Sequence, residues 1–146
     1  MATRGIIGVY CGQGAWRGRY VHWDNYPERV VPLLSELVER DGLPKVIETI
    51  VNKRDSWSTI DAHVDESSPF FTAENYEPGY GFFHTDGGME TYTESTGYYS
   101  WAEYVYIMDD EGVTVYDVIQ LEPETLAINC RYTWEQAKAM RQSQPA

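Results

Sequence analysis

Between Ser58 and Cys130 the chain contains no lysine and no arginine. Those 73 residues carry fifteen carboxylates, whereas residues 1–57 set eight cations against seven acids, and residues 131–146 set three cations against one. The net charge of −12 therefore resides in the second half. Phosphate contacts need Lys and Arg, so this stretch excludes direct nucleic-acid binding through that part of the chain. A surface of this sign confers solubility, and it also suits docking on a basic partner or imitation of a nucleic acid. Long apolar runs are scarce too, and none approaches the ~20 residues that span a bilayer, so no membrane partner is expected. The N-terminus lacks the apolar core and cleavage site of a signal peptide. Two cysteines, Cys11 and Cys130, are too few for a disulfide framework, so free thiols and a cytoplasmic location are expected.

Motifs for the common chemistries are also missing. No HExxH, CxxC, EF-hand, P-loop or GxSxG pattern occurs, so no cofactor, no metal ligand and no catalytic residue is assigned. Asp109-Asp110-Glu111-Gly112 is too short for a calcium loop and reads as a solvated turn.

What is present is enough for a core. Hydrophobic residues make up 42% of 146 positions and aromatics 14%, which fits one globular domain over residues 1–146, with 141–146 as a frayed tail. Gly5–Cys11 and Arg17–Trp23 are β-rich runs around Gly12-Gln13-Gly14, a hairpin signal. A helix over about 25–40 follows. Asp24 or Asn25 would cap it, Glu28 would complete a capping box, Pro27 stands in the first turn and Gly42 closes it. Pro32 is the blemish in its apolar stripe. A second helix over 44–53 carries Leu43, Val46, Ile47, Ile50 and Val51 at helical spacing. Residues 55–100 predict short irregular strands, including Gly81–His84 and Glu90–Thr93. A second hairpin pairs Trp101–Met108 with Val113–Ile119, a third strand covers Thr125–Cys130, and a short helix starts at Thr133. The expected fold is α+β: a single antiparallel sheet built from hairpins, two short helices after the first hairpin and a short C-terminal helix.

The densest cluster of chemistry is Trp16, Arg17, Arg19, Tyr20, His22, Trp23, Asp24 and Tyr26. Guanidinium forks bind phosphate or carboxylate bidentately, and aromatic faces stack on bases. If residues 17–23 form a regular strand, Arg17, Arg19, Val21 and Trp23 share one face, so both arginines converge on one anion, while Tyr20 and His22 share the other. The bland alternative is a strand whose arginines pair with nearby acids, with Trp23 and Tyr26 stapling the start of the helix. A second cluster, ten aromatic rings between Tyr76 and Tyr106, reads as cross-strand packing or as a recognition surface.

The pattern Trp16-x-Gly18-Arg19-Tyr20-Val21-His22-Trp23-Asp24-x-Tyr26-Pro27, with the later Trp101-Ala102-Glu103-Tyr104-Val105-Tyr106, resembles a group of small proteins of actinobacteria and their phages. The group has no assigned activity, so the resemblance implies a phage or actinobacterial setting, with the host cytoplasm as the location for a phage protein. In that setting small accessory proteins block host processes, some by sequestering signalling nucleotides. Three functions remain in view. The first is non-enzymatic binding of a small anionic, nucleotide-type ligand through the eight residues named above. The second is an acidic interaction or nucleic-acid-mimic module that inhibits a host protein, and the third is a hydrolase. A homo-oligomer is compatible with each.

Overall fold

The computed structural model describes residues 3–53, 56–64, 67, 75–83, 90–92, 99, 102–120 and 123–143. The first hairpin forms where its turn chemistry places it. Strand β1 (Gly5–Gly12) pairs antiparallel with β2 (Ala15–Val21), from Gly5 opposite Val21 to Gly12 opposite Ala15. The turn between them has Gln13 at φ 56° and Gly14 at φ 74°, the two positive values that let a two-residue loop follow the strand twist.

Beyond β2 the chain turns sharply at Asp24, whose φ is 62°. Helix α1 (Pro27–Asp41) starts with Tyr26 as the N-cap and has no side-chain cap, so neither Asp24 nor Asn25 caps it and Glu28 completes no capping box. Asn25 turns inward instead. It is buried, and its Nδ2 donates toward the carbonyls of Thr3, Val21 and Trp23 at 2.9–3.0 Å. The Tyr106 hydroxyl donates to the Asn25 carbonyl. Satisfying buried backbone carbonyls outweighs a helix cap that Pro27 makes partly redundant. A Cβ on Gly5 would lie 2.8 Å from Asn25 Cβ, so the strand needs glycine there.

Helix α1 runs through Pro32, and the Ser35 hydroxyl donates to the Pro32 carbonyl at 2.8 Å. Gly42 ends it with φ 87°, its N–H donating to Val38 O at 2.8 Å. The expected second helix is present in two parts: α2 (Leu43–Ile47) and a π-helical turn over Glu48–Asn52.

The remaining strands are β3 (Trp57–Ile60), β4 (Tyr76–Glu77), β5 (Gly81–Phe83), β6 (Glu90–Tyr92), β7 (Tyr104–Met108), β8 (Gly112–Ile119) and β9 (Thr125–Thr133). Helix α3 covers Trp134–Ser143, so residues 141–143, expected in the tail, are helical. The sheet order is β4-β5-β3-β2-β1-β7-β8-β9, with β6 pairing to β2. The α+β architecture with one sheet is as the sequence implies, but the sheet is mixed: β1 runs parallel to β7, and β2 parallel to β3. Turn signals fix pairing only within a hairpin. Joining β2 to β3 through two helices is a crossover, which returns the chain parallel. His84, Asp86–Gly88, Thr93 and Trp101 lie outside the described residues.

The helices cover one face. Val30, Val31, Leu34 and Leu37 of α1, Val46, Ile50 and Val51 beyond it, and Ala137 of α3 pack on Ile7, Val21, Tyr106, Val113 and Val115 of the sheet. A smaller cluster on the other face joins Ile6, Trp16, Tyr99, Ala102, Val105, Ile107 and Val118.

Candidate functional site

Alternation along β2 divides the candidate cluster between the two faces. Arg17, Arg19 and Val21 point to the helices. Arg19 is only 5% exposed, and its Nε donates to the Val51 carbonyl at 2.7 Å. Arg17 reaches the neighbouring residue, its Nε and Nη2 donating to Asn52 Oδ1 at 3.2 and 3.0 Å. Trp57 Nε1 donates to the Ile50 carbonyl at 3.0 Å. A helix ends with carbonyls that have no intrahelical partner and with partial negative charge. The sheet supplies donors to three successive residues at that end, and two of those donors are cationic. The guanidinium groups are thus engaged by the end of the π-helical turn, and the arrangement gives both a structural task.

On the opposite face Trp16 is buried, stacked on Tyr99 with ring centroids 6.2 Å apart and planes 11° from parallel. It borders a groove of about 350 Å³ lined by Tyr10, Gly14, Trp16, Tyr99, Tyr116 and Leu126, where the Tyr10 and Tyr116 hydroxyls meet at 2.8 Å. Burial, then the bond to Tyr10, raises the Tyr116 phenol above its ordinary range.

Tyr20, His22, Trp23 and Asp24 form a separate group at the corner between β2 and α1. The Tyr20 hydroxyl and His22 Nδ1 share a hydrogen bond of 2.8 Å, and the His22 ring meets Trp23 edge to face at 4.7 Å. The backbone ladder continues past β2, with His22 N donating to Trp57 O and Trp23 N to Ser58 O at 3.0 and 2.9 Å. That ladder brings β3 alongside and forms a cleft of about 390 Å³ lined by Trp23, Asp24, Ser58, Thr59, Asn75 and Phe82. Trp23 remains 46% exposed. Arg29 braces this corner from α1, donating to Asp24 O at 3.2 Å and Ile60 O at 2.6 Å. Tyr26 is exposed at the start of α1.

Of the eight residues, the structure brings Trp23 and Asp24 into one cleft, with His22 and Tyr20 supporting the Trp23 ring. Trp16, Arg17 and Arg19 lie elsewhere. Ser58, Thr59, Asn75 and Phe82 were missed by sequence reasoning, and only the parallel pairing of β2 with β3 could have revealed the first two.

The cation-free segment draws its cationic partners from outside itself and neutral donors from within. Lys53 pairs with Glu77 at 2.7 Å, and Arg131 with Asp109 at 2.9 Å. Glu124 accepts from Tyr99 N at 2.6 Å, and Asp117 from Asn129 Nδ2 at 3.0 Å. Burial pushes the Asp109 carboxyl up, but Arg131 and the N–H groups of Glu111 and Gly112 outweigh it and hold it below its ordinary value. Beneath β5, the Arg40 guanidinium, aided by the Tyr80 hydroxyl at 2.6 Å, holds the Asp41 carboxyl low. Burial, then Asp41, pushes Tyr80 up to about 12.

Cys11 and Cys130 are free thiols. Among the described residues no cluster of His, Cys, Asp and Glu could hold a metal ion, and no helix is long and apolar enough to cross a membrane. No protein-family model matches the chain, and neither a curated protein nor a solved structure matches it.

Proposed function

We propose that this protein binds, without chemical conversion, the ring portion of a small nucleotide-type ligand in the cleft at the β2–α1 corner. One observation carries the reading: a half-exposed indole at Trp23 borders a cavity that is also lined by Phe82, Asn75, Ser58, Thr59 and Asp24. Ligand sites of this size combine aromatic walls with a few converging polar groups, which fix the orientation of a ring. A base can stack on Trp23 while its edge meets Asn75 and Asp24. The arginines that suggested an anion are occupied by Val51 and Asn52, so the phosphate of such a ligand points toward solvent.

The test is a thermal-shift screen of nucleosides, nucleotides and cyclic nucleotides, followed by titration of the hits, since a ligand of the native state raises stability by mass action. Nucleoside and nucleotide should bind within about tenfold of each other, and Trp23→Ala should weaken both at least tenfold. Absence of any binder, or a Trp23→Ala protein that binds as wild type does, overturns the reading. The acidic-mimic alternative would rest on the remaining carboxylates of residues 58–130, since Glu77, Asp109, Asp117 and Glu124, four of the fifteen, are engaged within the fold.

A further inference from the structure

The two edges of the sheet are built differently. One edge, β4, is two residues long, Tyr76 and Glu77. A strand that short offers almost no ladder to another chain, which is one of the usual ways an edge is protected. The other edge, β9, is nine residues long, and six of the nine are exposed. Among the described residues no strand pairs with its outer side. Ile128 at its middle is 70% exposed, the most exposed large apolar residue among those described. The protective devices are few: no lysine, no proline and one bulge at Asn129, where the register against β8 shifts.

Charge says what can approach. The chain carries 23 carboxylates, yet residues 125–134 contain none. Their one ionic group, Arg131, already pairs with Asp109 of its own chain. Two copies at −12 each repel over most of their surfaces, and this acid-free strip adds no carboxylate of its own to that repulsion. A basic partner would instead be drawn to the acidic surfaces and away from β9.

We propose that β9 is a dimerisation edge, on which a second copy of this chain adds its own β9 antiparallel, continuing one sheet across a two-fold axis. Such an interface is isologous, the same strip on both sides. The bulge sets the register. Against β8, Arg131 and Thr133 share a face with Ile128 and Leu126, while Tyr132 shares the other with Ala127. The face-matched pairing that covers Ile128 places it opposite the partner's Arg131, and Ala127 opposite the partner's Tyr132. The Arg131 stem then covers the Ile128 side chain that a single chain leaves in water.

The test is sedimentation equilibrium of the full chain at low and high salt. The expected result is a reversible dimer that tightens severalfold as salt rises, since screening removes repulsion between two acidic bodies. Ile128→Lys puts a cation opposite the partner's Arg131 and should give a monomer with unchanged circular dichroism. Ile128→Glu should keep more of the dimer, because its carboxylate meets that guanidinium. Ala127→Glu supplies a second disruption on the opposite face, should Ile128→Lys disturb folding. Trp23→Ala should leave the dimer intact, which separates this proposal from the ligand reading. A wild-type chain that stays monomeric at every salt concentration up to millimolar protein overturns it. So does a dimer that Ile128→Lys and Ala127→Glu both leave unchanged, or one weakened by salt.

Discussion

The two faces of the sheet use the same kinds of side chain for opposite purposes. On the helix-covered face, polar groups are buried and aimed at backbone: Arg19 at Val51, Trp57 at Ile50, Asn25 at three carbonyls. Elsewhere, aromatic and polar residues border two open cavities, one beside Trp16 on the opposite face and one beside Trp23 at the β2–α1 corner. The lesson is that the eight candidate residues part company: the arginines of β2 face the helices, Trp16 borders a groove on the opposite face, and Trp23 and Asp24 lie past the end of the strand. The part that looks most like an anion fork is the part that completes the helix.

That contrast can be broken from the helix side first. Arg19→Ala should produce the largest effect, a loss of about 3 kcal/mol in urea unfolding, since it removes a buried charged hydrogen bond and leaves both a cavity and an unsatisfied carbonyl. Arg19→Met, which keeps the stem, should recover part of the loss. Equal stability of wild type and Arg19→Ala would show that the guanidinium does not hold the helix end. Asn25→Ala should come next at about 2 kcal/mol, measured the same way, because three carbonyls lose a shared donor.

Acid provides a smaller perturbation. The Asp109 carboxyl is held below the ordinary value of an unfolded aspartate, so its contribution to stability is present above that ordinary value and is lost as pH falls through the lowered folded value. Unfolding midpoints followed below pH 4 should therefore decline in wild type and decline less in Asp109→Asn. Parallel curves would show that the pair with Arg131 is not felt. The smallest effect on stability belongs to the β2–α1 corner. Trp23→Ala should change unfolding free energy by less than about 1 kcal/mol, since the ring is already half in water, while ligand binding collapses. A large stability loss there would reassign Trp23 to the core.

These comparisons also show where the sequence was legible. The hairpin around Gln13 and Gly14 could be read because its turn chemistry is local, and α1 because Val30, Leu34 and Leu37 repeat at helical spacing. The inward role of Asn25 could not, because Asn suits a cap and a buried hub equally well until its neighbours are known. The parallel union of β1 with β7 depends on contacts a hundred positions apart, for which a turn motif carries no information. At the candidate site Trp23 and Asp24 were visible as chemistry, but Asn75, just before β4, and Phe82 of β5 arrive through pairings that only the assembled sheet defines.

The hydrogen bond from Tyr106 to Asn25 has a consequence for the order of events in folding. It spans 81 positions, so the β2–α1 corner that carries Trp23 cannot be completed by the first hairpin and α1 alone. Closing so long a loop costs chain entropy before any contact returns it, and such contacts form late. On a ribosome the first sixty residues can emerge with hairpin and helices assembled while this corner is still open. The cleft beside Trp23 is then finished only when β7 docks beside β1, so its completion marks the arrival of the second half of the chain.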